Sequence, residues 1–231
     1  NMLSKKVKQP ESNSNLMKKA LILLSLLVTL VGCNNGSRLS SDDNKIYYGE
    51  TPVGTFLPVE SDAVAYDDQM EFLDDNTLKI TRTFTALQDI DSIRLTLNFR
   101  HESECQSAMI PSVSYDGNHW GKGKEPKGFQ TDGVWHTYSY RRTPIPGATY
   151  SEGKDFAIAM WGTNPTNEAE AFSCSLMPEE TEVTHSLILP EEERPFIYSG
   201  RDSYKDGFAR KLSMRKGETR KMEAYLSVSP K

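Results

Sequence analysis

The run SIRLTLNFR, residues 92–100, alternates apolar and polar side chains without a fault. Ile93, Leu95, Leu97 and Phe99 point one way; Arg94, Thr96, Asn98 and Arg100 point the other. A period of two is the signature of a strand with one face in a core and one in water, which is how antiparallel sheets are built. The same pattern recurs along the chain, and no segment of useful length carries the apolar stripe that a helix needs to bury. Many short strands separated by Gly, Pro, Asn and Asp clusters predict an all-β fold, an antiparallel β-sandwich forming a single domain over residues 47–231.

Other segments extend this reading. MEFLDDNTLKITRTFT places two alternating runs around Asp74, Asp75 and Asn76, a hairpin composition. MIPSVSY reads as one strand ending at the turn dipeptide Asp116-Gly117, and VWHTYSYRR as another, rich in aromatic and β-branched residues. DFAIAMWG is almost continuously apolar and reads as a central strand buried on both faces. EVTHSLIL and RKMEAYLSV complete the set, the latter with Met222, Ala224, Leu226 and Val228 on one face.

The N-terminus carries a separate signal. MKKALILLSLLVTLVGC joins a basic start (Lys18, Lys19) to an apolar run and the tetrad Leu30-Val31-Gly32-Cys33. The apolar run is short of the roughly 20 residues that span a bilayer comfortably. It reads as an export signal with a lipobox. Bacterial lipoproteins carry this pattern, and the resemblance implies a diacylglyceryl thioether on Cys33, a lipid-anchored partner membrane, and cleavage before that residue. Two or three acyl chains hold a protein at a membrane where one does not. Asn34 after the cysteine, by resemblance to the lipoprotein sorting rule, implies export to a bacterial outer membrane. Residues 1–16, polar and upstream of Met17, read as an over-extended start; 17–33 as the signal; and 34–46 as a polar tether.

The net charge of −5 comes from interspersed charges, so no nucleic-acid surface is expected. His101, His119, His136 and His185 lack the close pairing of a zinc helix, and neither metal nor cofactor is predicted. Beyond Cys33, only Cys105 and Cys174 remain. An oxidising compartment lets them pair across a loop of roughly 70 residues, a link worth on the order of 4 kcal/mol in the chain-entropy model. That disulfide is the expectation, with two buried thiols as the alternative.

Three clusters are candidates for contact with a ligand or a neighbouring domain. Asn118, His119 and Trp120 lie in a glycine-rich loop closed by Trp135, whose aromatic and polar side chains suit sugar rings and hydroxyls. The alternative is a long loop pinned by its own aromatics. His136, Tyr138, Tyr140 and Arg142 are predicted to share one face of a strand, as a binding surface or an interface. Glu191, Glu192 and Glu193 suggest a glycosidase, but two catalytic carboxyls must oppose each other across the scissile bond. On extended chain only Glu191 and Glu193 share a side, with no opposed partner in view. A solvated acidic turn, or a corner salt-bridged to Arg194 and Arg201, is the expectation, with Arg201 and Asp202 as a structural pair or an inter-domain contact.

Taken together, MIPSVSYDGNHWGKGKEPKGF, RRTPIPGATYSEGKDFAIAMWG, CSL, HSLILPEEERPFIYSGRDSY and GETRKMEAYLSVSP resemble the N-terminal, supersandwich-like β-sandwich that precedes an (α/α)6 toroid in six-hairpin glycosidase-like proteins of bacterial polysaccharide utilisation. The resemblance implies a large enzyme acting on polysaccharide or oligosaccharide, with its acid and base mostly on the helical domain and the sandwich packed against it. This chain lacks the toroid, so it is not expected to be catalytically complete, and no catalytic residue is assigned. The expected role is an accessory sandwich shaping a glycan cleft. A stand-alone surface carbohydrate-binding lipoprotein and a structural envelope lipoprotein are the rival readings.

Overall fold

A computed structural model describes residues 38–115, 136–194, 196–198, 203–205 and 207–231. In chain order the strands are β1 (Leu39–Asp42), β2 (Lys45–Tyr48), β3 (Thr51–Phe56), β4 (Val64–Phe72), β5 (Thr77–Ala86), β6 (Leu95–His101), β7 (Ser107–Ile110), β8 (Ser114–Tyr115) and β9 (His136–Ser139). They continue as β10 (Thr149–Glu152), β11 (Phe156–Gly162), β12 (Ser173–Pro178), β13 (Val183–Leu189), β14 (Glu192–Glu193), β15 (Phe196–Tyr198), β16 (Ser203–Lys205), β17 (Phe208–Ala209) and β18 (Thr219–Pro230). The first sheet has the order β1-β2-β3-β6-β13-β12-β9 and the second β4-β5-β18-β11-β10-β7-β8. Two small ribbons, β14-β17 and β15-β16, are not part of either sheet's strand order. Among the described residues there is no α-helix, only 3-10 turns at Tyr140–Arg142 and Glu168–Glu170.

The two sheets face each other across the core that the alternation predicts. Leu95, Leu97 and Phe99 of β6 are fully buried, and with Leu187 and Leu189 of β13 they meet Leu78, Ile80 and Phe84 of β5, Ile158 and Met160 of β11, and Leu226 and Val228 of β18. Each such side chain contributes roughly 1.5–3 kcal/mol on leaving water. The β4–β5 hairpin closes as its composition predicts: Asp74 Oδ1 accepts from Asn76 N at 2.8 Å, and Leu73 N donates to Thr77 O at 2.9 Å.

One inward position breaks the apolar rule. Arg82, between Ile80 and Phe84 on β5, is fully buried and makes a bidentate pair with Asp68 of β4, at 2.7 and 2.6 Å. Its guanidinium also donates to Leu57 O at 2.9 Å and Thr96 O at 3.4 Å, and lies 4.6 Å from the centroid of the Tyr66 ring. Thr96 belongs to the opposite sheet, so the ion pair staples the two layers together. A buried charge is tolerated only with this degree of pairing.

The structure corrects four expectations. The sandwich begins before residue 47: β1 and the first half of β2 fall inside the predicted tether, and Leu39 and Ile46 are core residues. MIPSVSY is a hairpin, not one strand, turning between β7 and β8 where Ser112 adopts a left-handed φ of 68°. DFAIAMWG is central in its sheet but not doubly buried. Ala157, Ala159 and Trp161 face outward and half-exposed, with Trp161 stacked on Tyr225 at 5.5 Å. The strand buried on both faces is β13, whose outward side chains are Thr184, Ser186 and Ile188. Finally, no disulfide joins Cys105 to Cys174. Cys174 lies in β12 of the first sheet, fully buried, where desolvation pushes its thiol up to about 12. Cys105 lies before β7 of the second sheet, with Sγ 3.5 Å from Ser107 O.

Candidate functional site

The site grows from the outer face of the first sheet. Inward positions of β9, β12 and β13 carry Tyr138, Cys174, Leu176, His185 and Leu187, so the outward positions carry Thr137, Ser139, Ser173, Ser175, Thr184 and Ser186. Such small hydroxyl residues usually mark a wet face, yet all six are buried. Part of their cover comes from the chain after β13, which crosses them. Arg194 N donates to Thr137 O at 3.1 Å, Glu192 N to Ser173 Oγ at 2.7 Å, and Ser173 Oγ in turn to Glu192 O. The crossing segment forms β14, pairs with β17, and receives Arg210 N on Glu191 O at 3.0 Å.

Alternation within the crossing segment sends Glu191 and Glu193 to one side and Glu192 to the other, where Arg94 Nε donates to it at 3.1 Å. Glu193 accepts two hydrogen bonds from Arg142, Nε to Oε2 at 2.9 Å and Nη2 to Oε1 at 2.7 Å, and a third from Ser139 N at 3.2 Å. Glu191 accepts from Ser139 Oγ, forms an ion pair with Arg210 Nε at 3.0 Å, and lies 3.9 Å from Arg141 Nε. Glu168 closes the cluster by bridging Arg141 at 2.7 Å and Arg210 at 2.8 Å. The hydrogen bonds it donates to Tyr140 and Glu168, with the charge of Glu191, raise the Arg141 guanidinium further above its ordinary value; Arg141 in turn holds Glu168 below the carboxylate range.

Charge is therefore layered. The Glu191 and Glu193 side chains are only 3% and 2% exposed, while Arg141, Arg142 and Arg210 are 49%, 40% and 43% exposed. Carboxylates form the floor and guanidiniums the rim of an open cleft of about 410 Å³, with the exposed ring of Phe208 on its wall. Both carboxylates lie beneath the guanidiniums and are engaged by them and by Ser139, so they do not oppose one another across a space for substrate as a glycosidase pair must. What the cleft offers is fixed N–H donors and one aromatic surface.

The expectation of a solvated acidic turn is thus overturned, because the outer hydroxyl face gives the carboxylates a place to be buried. Among the described residues their partners are Arg141, Arg142 and Arg210, while Arg194, expected there, gives its backbone N–H to Thr137 O. The shared face of His136, Tyr138, Tyr140 and Arg142 is also dissolved, since β9 ends at Ser139. Tyr138 turns into the core, where burial raises its phenol. The 3-10 turn stacks Tyr140 on Phe172 at 5.2 Å and delivers Arg142 to Glu193. His136 opens β9. Cys33, Asn118, His119, Trp120, Trp135, Arg201 and Asp202 lie outside the described residues. Ser139, Arg141, Glu168, Phe208 and Arg210 escaped the sequence reading. The available signal was the Ser/Thr alternation in HTYS, SCSL and VTHSL, a face too small and polar for core and too regular for a loop.

A second polar group lies between the sheets. Ser151 Oγ is 2.8 Å from His185 Nε2 and 3.2 Å from His101 Nδ1, and His185 Nδ1 is 2.8 Å from Thr149 Oγ1. All four residues are at most 1% exposed. Burial pushes His101 down to about 4 and, with the neighbouring His101 adding to it, His185 to about 3. Sealed from substrate, this serine and its histidines join the layers as Arg82 does. Among the described residues no group of three or more His, Cys, Asp and Glu side chains is placed to hold a metal ion.

No protein-family model and no curated protein matches the sequence. Among solved structures the chain is similar to a crystal structure of a candidate aldose 1-epimerase from Escherichia coli K12, at 12% identity and a TM-score of 0.35, over 83% of this chain and 67% of that one.

Proposed function

We propose that this sandwich is the accessory β-domain of an exported, lipid-anchored carbohydrate-active protein, in which the guanidinium-rimmed cleft forms one rim of a glycan-binding groove beside a helical catalytic domain. The observation that carries the reading is the cleft itself. Its donors are held in place by buried carboxylates, and an aromatic ring lies next to them, which is the pairing of fixed hydrogen bonds and apolar surface that a sugar requires. Three arginines against three glutamates leave the cluster without net charge, which favours a neutral polyol over phosphate. Because Glu191 and Glu193 are engaged internally, the sandwich positions glycan and leaves bond cleavage to groups elsewhere. The anchor is proposed at Cys33, with the protein on the outer membrane.

Calorimetric titration of the full chain with a panel of neutral and uronic polysaccharides tests the cleft. The expected result is binding in the micromolar range that Phe208→Ala and Arg142→Ala each weaken at least tenfold. A panel that gives no binding heat would sink the glycan reading. The anchor is tested separately, by palmitate labelling in a bacterial host, which Cys33→Ser should abolish.

A further inference from the structure

Each of the two sheets has two edge strands, and one of the four is unlike the rest. β1 has four residues and β8 two, while β9 has four with Thr137 O already accepting from Arg194 N at 3.1 Å. β4 has nine, Val64–Phe72, paired with β5 along its whole length without a shift of register. A long, regular edge displays a row of backbone donors and acceptors that another strand can use, and proteins commonly blunt such edges with Lys, Pro, a bulge, an inward charge or a covering segment. β4 holds no Lys, no Pro and no bulge, and among the described residues no segment hydrogen-bonds to its outer edge. Its one inward charge, Asp68, is neutralised by Arg82.

The ladder shows which backbone groups are open. Leu73 N donates to Thr77 O at 2.9 Å and Leu87 N to Ala63 O at 2.8 Å, so the odd-numbered residues of β4 direct their N–H and C=O groups to β5. Those of Tyr66, Asp68, Met70 and Phe72 therefore point the other way, and none meets a partner among the described residues. Side chains alternate in step. Tyr66, Met70 and Phe72 pack against the core, while Ala65, Asp67, Gln69 and Glu71 are exposed on the outer face of the sheet. Asp67 is in no ion pair with a described residue, and Lys79, opposite Glu71, is paired with Glu223 at 2.7 Å. The outer face along this edge is left negative.

We propose that β4 receives an extended segment of a partner protein as an added outer strand of the second sheet, and that this segment alternates basic and apolar side chains. Main-chain hydrogen bonds to Tyr66, Asp68, Met70 and Phe72 supply the affinity of strand addition, and the flanking side chains supply its selectivity. Directly opposed residues of paired strands share a face. The partner's inward positions thus lie beside Tyr66, Met70 and Phe72 and extend the core, so they are apolar. Its outward positions lie beside Asp67 and Glu71, so they are Lys or Arg. A second copy of β4 is a poorer occupant, because it brings carboxylates to a seam that already holds them.

The test titrates the full chain calorimetrically with a synthetic peptide as long as β4 that alternates lysine and valine, and with the same peptide carrying glutamate for lysine. Saturable 1:1 binding of the lysine peptide, at least tenfold tighter than the glutamate peptide, is expected. In the complex, hydrogen exchange should slow at the amides of Tyr66, Asp68, Met70 and Phe72, while Asp67, Gln69 and Glu71, already bonded to β5, keep their rates. N-methylation of the valines, whose backbone groups face β4, should abolish binding; N-methylation of the lysines, whose groups face away, should leave it. Asp67→Lys with Glu71→Lys, both at exposed positions, should weaken binding at least tenfold without lowering the melting temperature of the free protein. No saturable heat, equal binding of the glutamate peptide, equal effects of the two methylations, slowed exchange outside β4, or a parent dimer whose β4 edge amides are already protected overturns the proposal. Phe208→Ala and Arg142→Ala should leave peptide binding unchanged, so this edge and the glycan cleft stand or fall separately.

Discussion

Glu193 shows how much one residue depends on what covers it. Its side chain is 2% exposed and held by Arg142 and the Ser139 amide, so Arg142→Met leaves a buried carboxylate with one weak donor. Arg142 is itself 40% exposed, which tempers the loss, and a destabilisation of about 2 kcal/mol in urea unfolding is expected. Adding Glu193→Leu should recover part of it; no recovery would show that the packing, not the pair, was what mattered. The buried histidines give a second residue-scale prediction. Folded, His101 and His185 titrate near 4 and 3; unfolded, both return to about 6.5. The unfolded chain therefore binds protons that the folded chain refuses, so stability is full above about pH 6.5 and falls as the pH drops toward the folded values. Carboxylates scarcely titrate between 6.5 and 5, so the urea midpoint should already decline there, and a flat midpoint across that window would refute the assignment. Neither histidine role was legible in sequence. His101 follows the alternation of β6 one step beyond Phe99, but its partner Ser151, like the Ser151 and Thr149 that meet His185, comes from a strand of the other sheet.

The elements were far more legible than the site. Where apolar and polar residues alternate cleanly, as in β5, β6 and β18, period and turn chemistry suffice. Where the outward face is Ser and Thr, as in β9, β12 and β13, the same alternation reads as a solvent face, because nothing local announces that residues 191–194 will return to cover it. The strand ends failed for a similar reason: YRR continues the strand composition of β9, yet the chain turns there, with Ser139 Oγ accepting from Arg141 N. Close approach between strands is equally invisible. Gly54 in β3 sits where a Cβ would be 2.2 Å from Arg100 O of β6 and 2.7 Å from the Phe99 ring. Gly54→Ala should therefore cost about 1–3 kcal/mol. Amide exchange should quicken across β1, β2 and β3 while β5 and β18 keep their protection. Uniform loss of protection would mean that the β3–β6 joint is not a local seam.

At the scale of the molecule, the layers are joined by polar staples as well as by apolar packing. Asp68→Leu alone strands the Arg82 charge between the sheets and should cost about 3–5 kcal/mol, whereas Asp68→Leu with Arg82→Met should come close to the parent stability. If the double variant unfolds as readily as the single one, the guanidinium's bonds to Leu57 O and Thr96 O matter more than its charge. The order of the second sheet governs a different property. β18, the last of the described strands, lies between β5 and β11, so it joins two halves whose residues are made before it. The β4–β5 and β10–β11 hairpins can each form as they emerge, but both keep an open edge until β18 arrives, and long-range pairing of this kind is slow. A chain cut after Gly217 should show no cooperative melting transition by calorimetry, while the parent should refold in milliseconds to seconds. The second sheet thus cannot close until β18 has been made, and until then the polypeptide stays pliable enough to be threaded, held or handed on.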